Sequence, residues 1–552
     1  MYLPGCSLSR HLAASLVMSV GFIFMAACSR AVPAFAPAVT NGTVNISGLS
    51  EASGLVASRN NDSVLWTHND SGDTARIFCL DTHGRKLGIY AVTGGVNVDY
   101  EDIAIGPGPV TNVSYLYIGD IGDNNSVRAN IVVYQVPEPA VYARQFTAPA
   151  NASLKGVRAI TLTYPDGARN AEAMFVDPVT GDLFILSKAS TSRVYTAPKS
   201  KLDATNNIVL TFVRTLSFDV PSAADISPSG NEIIVRQEDF ARMWLRADGQ
   251  SISSALGGTA IVVPVTGTAG GEPNGEAVGF DSIGLGYFTL SDSSTVQPLR
   301  YFARTSGDGP RVPQPIVAAG GVWKYLDDGT DPGPGWSQSG FDDSGWNLNA
   351  APFGYGNGDE QTQLNYGPDP NNKHSAAYFR KSFVLDNAPC LGSLSLKLVV
   401  DDGAAVYLNG TNVARVQLAP GAGNGDWATQ SQPPALGDTW MTIPIDPAAL
   451  VNGTNVVAVE VHPSSGADPT LRFDLQLGAM ESTTPRFLSW VSGTNELRLQ
   501  LCGPSGTNVT VQASADYSEW AQVGSAILTN GLGWVTDQPP AGLDARVYRA
   551  FR

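Results

Sequence analysis

The sequence predicts an all-β protein: a five-bladed β-propeller over residues 40–305, then a jelly-roll β-sandwich and a small C-terminal β-sandwich. Three observations predict it. A motif of an opener, a short apolar run, a turn and a second apolar run occurs five times before residue 300, opened by Glu51, Glu101, Glu172, Ser222 and Glu276. The openers are separated by 50, 71, 50 and 54 residues, intervals of the size of one propeller blade. Finally, 58 Gly and 36 Pro with only 15% charged residues describe a turn-rich chain with little surface helix.

The first 36 residues read as a secretory leader. Arg10 and His11 precede an apolar run that ends at Ala34-Phe35-Ala36, a small-x-small cleavage site. Met25-Ala26-Ala27-Cys28 approximates a lipobox and offers a second reading, a lipoprotein anchored through Cys28. The run is short for a membrane span, so the expectation is a secreted or periplasmic protein that is not integral to a membrane. The remaining cysteines, Cys79, Cys390 and Cys502, fall in three different regions and form no disulfide framework or metal motif by spacing. A net charge of −16 repels a phosphate backbone and argues against a nucleic-acid partner.

Within the repeats, SGLVAS, SVLWTH, ARIFCLD and LGIYAV are the four expected strands of the first blade. The fifth repeat stops one strand short, and residues 43–49, TVNISGL, are the expected donor that completes it. Six blades remain the alternative, because the 71-residue interval has room for extra strands.

Antiparallel pairing places the start of each inner strand at the same end of the sheet as the loop after the second strand. Glu51, Glu101, Glu172 and Glu276 are therefore expected on one face with Asp70, Asp120, Asp123, Lys188, Arg236 and Asp292. Crowded carboxylates call for a cation, and hard oxygen donors favour calcium. The expected calcium ligands are Glu51, Glu101, Glu172, Glu276, Asp70, Asp120 and Asp123. The alternative for the same face is catalysis, with Glu172, Lys188 and Arg236 as candidates. A third reading is structural: strand-start carboxylates accept backbone N–H groups and lock neighbouring blades together. His68 stands without a nucleophile or metal motif beside it.

SGLVASRNNDSVLWTHNDSGD, VDYEDIAIGPG, YLYIGDIGDN, AEAMFVDPVTGDLFILSK and GEAVGFDSIGLGYFTLSD together resemble a widespread group of uncharacterised secreted bacterial β-propeller proteins, over roughly residues 46–305. The resemblance implies the propeller fold and export, and brings no activity with it.

Residues 306–318, rich in Gly and Pro, read as a linker. Residues 319–480 carry YFRKSF and DDGAAVYLNG and resemble galactose-binding-like jelly-roll modules, which implies an extracellular carbohydrate or polymer as partner. Tyr355, Trp427 and Trp440 are the aromatic candidates for a sugar platform, with burial in the core as the competing reading. Asp401 and Asp402 read as a turn or a calcium-holding pair. Residues 481–552 resemble fibronectin/immunoglobulin-like modules, with Trp520 and Tyr548 as expected core residues. The function expected is that of a secreted multi-domain binding protein with a calcium-stabilised propeller. The alternative is a calcium-dependent propeller hydrolase of phosphoesterase or lactonase type.

Overall fold

The computed structural model describes residues 32–293, 296–306, 313–493, 496–539 and 546–551. Residues 1–31, which include most of the expected leader with Cys6 and Cys28, and residues 307–312 of the expected linker lie outside the described residues. The protein is all-β, with only short helical turns between strands. No helix among the described residues is long and apolar enough to cross a membrane. The chain divides into two compact units. One comprises residues 31–385 and 393–480; the other takes residues 386–392 together with 481–552.

The first unit begins with five sheets, antiparallel but for one added strand in each of the first two, whose inner strands contain or directly follow the predicted openers: Ala52–Ala57, Tyr100–Pro107, Ala171–Val176, Ala223–Ile226 and Ala277–Phe280. These strands are buried almost throughout. That explains why they read as continuous apolar runs rather than as alternations. Each packs against two others in turn, and Ala277–Phe280 also packs against Ala52–Ala57. The close approach is visible at Gly54, where a Cβ would lie 2.8 Å from the backbone nitrogen of Ile103 in the next sheet.

Buried carboxylates reinforce this packing in the manner of the structural reading of strand-start acids, but from positions one and three residues after the openers. Asp102 accepts hydrogen bonds from the backbone N–H groups of Met174 (2.8 Å) and Ala224 (3.3 Å), in the third and fourth sheets. Asp225 accepts one from Phe280 (2.8 Å) in the fifth. A fully buried carboxylate is tolerated only with such partners.

Two outer strands cross from one sheet to another. Ala150–Ser153 adds in parallel to Lys86–Ala91 of the first sheet, and Asn207–Val209 adds in parallel to Arg158–Thr163 of the second. Ala150–Ser153 falls within the 71-residue second interval and Asn207–Val209 within the third, and the described residues of this region form five sheets without a sixth. The fifth sheet is completed from the N-terminal side by Val39–Val44. That is a few residues upstream of the expected 43–49, because the chain turns at Ile46–Leu49 before entering the first inner strand. Ala34–Phe35 also pairs with Gln297–Ser306, and the Phe35 ring packs edge-on to Tyr287 at 4.9 Å. A leader cut after Ala36 would therefore remove a strand of this sheet.

Gln314–Val317, expected as linker, is a strand that pairs with Leu471–Glu481. It starts a β-sandwich of two six-stranded sheets. The sheets meet through Trp323 and Phe379 of one and Phe353 and Phe473 of the other, the Phe379 and Phe473 rings being 4.3 Å apart. The Asn409-Gly410 turn joins Gly403–Leu408 to Thr411–Val416 with both turn residues at positive φ, the geometry for which Asn-Gly is suited. Trp440 and Tyr355 are buried, which corrects their reading as platforms. Trp440 packs with Tyr142 and Val399, whereas Trp427 is 37% exposed. Asp402 accepts the backbone N–H groups of Gln432 (2.6 Å) and Ser464 (2.7 Å) and so braces two loops.

The second unit holds two three-stranded sheets around Leu499, Leu501, Val509, Val511, Leu528 and Val535. Tyr548 packs against this core as expected. Trp520 does not join it and instead lies under the Arg549 guanidinium, 4.2 Å from its ring centre.

Candidate functional site

At one end of each of the first five sheets the same backbone bond recurs: Asp70 N–H to Glu51 O, Gly122 N–H to Asp99 O, Lys188 N–H to Asn170 O, Ser222 N–H to Arg236 O, and Asp292 N–H to Asn274 O, all 2.8–3.1 Å. Inner-strand starts and second-strand ends thus meet in every sheet, as antiparallel pairing requires. In three sheets the inner strand carries a bulge near that end, at Gly54 in the first and at an acidic residue in the other two. Glu101 is skipped between the pairs Tyr100–Asp120 and Asp102–Gly119, and Glu172 between Ala171–Ser187 and Ala173–Leu186. A bulge frees one residue from the pleat and re-aims its side chain, which brings both acids to the cluster.

The tightest group is Asp70, Asp99 and Glu101, each of which offers a carboxylate oxygen within 4.8 Å of the others. Gly122 makes room for it: a Cβ there would sit 2.3 Å from Glu101 Oε1 and 2.4 Å from Asp99 Oδ2. Glu172 and Lys188 form an ion pair beside the group, and Asn170 Nδ2 donates to Glu172 Oε1 at 3.2 Å.

The electrostatics show how unbalanced the group is. Burial pushes the Glu101 carboxyl far above the usual range, with Glu172, Asp70, Asp99 and Glu276 adding to the effect. Burial also raises Glu276 to about 8, helped by Asp292 and Glu172, and Asp292 to about 6, helped by Asp70 and Glu51. Asp70 and Asp99 are raised chiefly by burial as well. Burial opposes the charge of Lys188, but its contact with Glu172 outweighs that and leaves its ammonium more basic than usual. One cation among this many carboxylates leaves an excess of negative charge that only protons or a metal ion can offset.

Other expected members border the group and have partners of their own; Asp120 Oδ1, for one, accepts the Asp99 backbone N–H at 3.1 Å. Glu51 is exposed, its backbone N–H held by Asn69 Oδ1. Asp120 pairs with Arg128 at 2.8 Å, and Asp123 accepts the Arg128 backbone N–H. Arg236 is fully buried: it donates to Glu272 Oε2 (3.0 Å) and Ala277 O (2.9 Å), while Glu272 Oε1 accepts from Thr289. That geometry corrects Arg236 from a catalytic cation to an internal tie. Gly275 permits it, since a Cβ there would fall 1.9 Å from Arg236 Nη2. His68 is buried edge-on to Tyr100, and burial lowers its pKa to about 4, so it is neutral.

Sequence reasoning missed Asp99, which lies two residues before an opener, and Glu272, four residues before another. The repetition of Asp at positions 102 and 225, one and three residues after their openers, was the only available signal for the buried clamps. A cleft of about 1100 Å³ lies apart from the carboxylates, between Tyr90, Gln145 and Lys155 on one side and Asp359, Asp438 and Arg472 on the other.

No family model and no curated protein matches the sequence. Among solved structures, the chain is similar to a glycosyl hydrolase family 2 member from Bacteroides cellulosilyticus, with 13% identity over 42% of this chain and 29% of that one and a TM-score of 0.20. It is similar to a chain of a nidogen/laminin complex, with 14% identity over 44% and 73% and a TM-score of 0.27. It is also similar to a β-glucuronidase from Ruminococcus gnavus in complex with D-glucuronic acid, with 12% identity over 43% and 42% and a TM-score of 0.20. The chain thus spans less than a third of the first of these structures, and scores this low transfer no activity to it.

Proposed function

We propose that the protein is an exported binding protein, in which a five-bladed β-propeller holds calcium at one channel mouth and a jelly-roll module binds an extracellular carbohydrate or polymer. The cyclic packing of the five inner strands supports the propeller. The metal reading is carried by the Asp70, Asp99 and Glu101 group. Oxygens bound to one calcium ion at 2.3–2.6 Å can be no more than about 5 Å apart, so these donors fit the ion, and an all-oxygen set suits calcium better than zinc or copper. Residues 40–305, 319–480 and 481–552 remain the proposed modules, the last a fibronectin/immunoglobulin-like spacer. Export goes with a leader cut that spares Ala34–Phe35, such as one before Cys28. In the sandwich, exposed Trp427 is the aromatic surface offered to a sugar.

Calcium is expected to raise the melting temperature over that in chelator, by about 2.7 kcal/mol of stability at a hundredfold excess over Kd. Asp99→Asn is expected to fold and to lose that response. An unchanged melting curve would reject the metal, and a silent glycan array would reject the carbohydrate partner. The Glu172–Lys188 pair beside the acids keeps a hydrolase as the second reading. Turnover of phosphate esters or lactones that disappears in folded Glu172→Gln and Lys188→Met would establish it in place of pure binding.

A further inference from the structure

Cys390 and Cys502 are more than a hundred residues apart in the chain, yet they occupy the same compact unit. Both are fully buried. Cys502 ends the strand Leu497–Cys502, and its Sγ donates to Pro389 O at 3.8 Å. Cys502 Sγ thus lies beside the peptide that joins Pro389 to Cys390. Cys390 is held in place from both sides of its peptide: its N–H donates to Asn387 O at 2.7 Å and its carbonyl accepts from Ser482 N at 2.8 Å. Gly531 precedes Leu532, the cross-strand partner of Cys502, and a Cβ on it would come within 3.4 Å of Cys390 Cβ. Arg486, the partner of Cys502 on the other side, donates to the same Pro389 carbonyl. The neighbouring Cys390 thiol and then this guanidinium lower the pKa of Cys502 against the opposing effect of burial.

We propose that Cys390 and Cys502 close to a disulfide in an oxidising compartment and fasten residues 386–392 covalently to the C-terminal sandwich. The oxidant is a disulfide of the glutathione class. The Cys502 thiolate attacks one of its sulfurs, forming a mixed disulfide and expelling one thiolate. Cys390, giving up its proton, then attacks the Cys502 sulfur and expels the second. The protein loses two electrons and two protons, and the oxidant leaves as two thiols. Cys79, buried in the first sheet with burial raising its thiol pKa, serves as an internal control.

The place of formation rests on the export reading; the geometry does not. The folded, reduced full chain is to be treated with oxidised glutathione, then denatured, alkylated and digested. The expected product is a peptide pair linked through Cys390 and Cys502, with Cys79 alkylated. Separate alkylation or separate glutathione adducts of the two cysteines, with circular dichroism unchanged, would overturn the proposal. A link that forms in this assay but is missing from protein isolated from its native cells under alkylating conditions would overturn the export reading alone. In the linked protein, protease cleavage within residues 481–552 is expected to speed up several-fold on addition of dithiothreitol. An unchanged rate would show that the bond fastens nothing.

Discussion

Arg236→Met is expected to destabilise the protein by about 3–5 kcal/mol, because it leaves a buried carboxylate without its counter-charge. Both partners of the Arg236–Glu272 pair are fully buried. The guanidinium also satisfies the Ala277 carbonyl in the fifth sheet, so the variant uncouples the second strand of the fourth sheet from the inner strand of the fifth as well as a charge pair. Urea titration of the variant measures the loss. A double variant, Arg236→Met with Glu272→Gln, is expected to recover much of it, since the uncompensated charge is then gone. Retained stability in the single variant would return Arg236 to the catalytic candidates.

The second large effect has the opposite sign. Glu276→Gln is expected to stabilise the protein at pH 8 by about 2–4 kcal/mol in the presence of chelator and to be close to neutral near pH 4. The carboxyl is raised from 4.5 to about 8 in the folded protein, first by burial and then by Asp292 and Glu172. A carboxyl raised on folding binds more protons folded than unfolded. Its contribution therefore declines as pH rises from about 4.5 to about 8. Gln removes that decline. Saturating calcium, by offsetting the neighbouring carboxylates, is expected to shrink the gain. Thermal melts of both proteins across this pH range test the point, and a Glu276→Gln variant that is less stable at pH 8 would refute it.

The five sheets were legible because their inner strands are buried on both faces and repeat a recognisable pattern at blade-sized intervals. The candidate site was legible only in part. Glu101, Glu172, Glu276 and Asp70 could be placed on one face from strand pairing alone. The bulges that turn Glu101 and Glu172 into the group could not, since nothing in a run such as EDIAIG marks an extra residue. Arg236 looked like a free loop cation because its partner, Glu272, lies in a different sheet's connection. The Cys390–Cys502 neighbourhood was invisible for the same reason: spacing along the chain carries no information about contacts made after half of a sandwich has been inserted between them. Trp440 and Tyr355 looked like binding aromatics because a buried ring and a sugar platform have the same composition, and only packing separates them.

The crossing strands Ala150–Ser153 and Asn207–Val209 set a timetable for the nascent chain. As the protein leaves the ribosome, the first sheet is missing its last strand until residue 153 has emerged, and the second waits until residue 209. The fifth waits longest, with Val39–Val44 held unpaired until Gln297–Ser306 arrives. Each of these sheets is therefore finished one step late, and an open edge travels along with synthesis. A chain that stalled at residue 140 would present the outermost strand of its first sheet, Lys86–Ala91, bare to whatever chaperone or neighbouring chain it met.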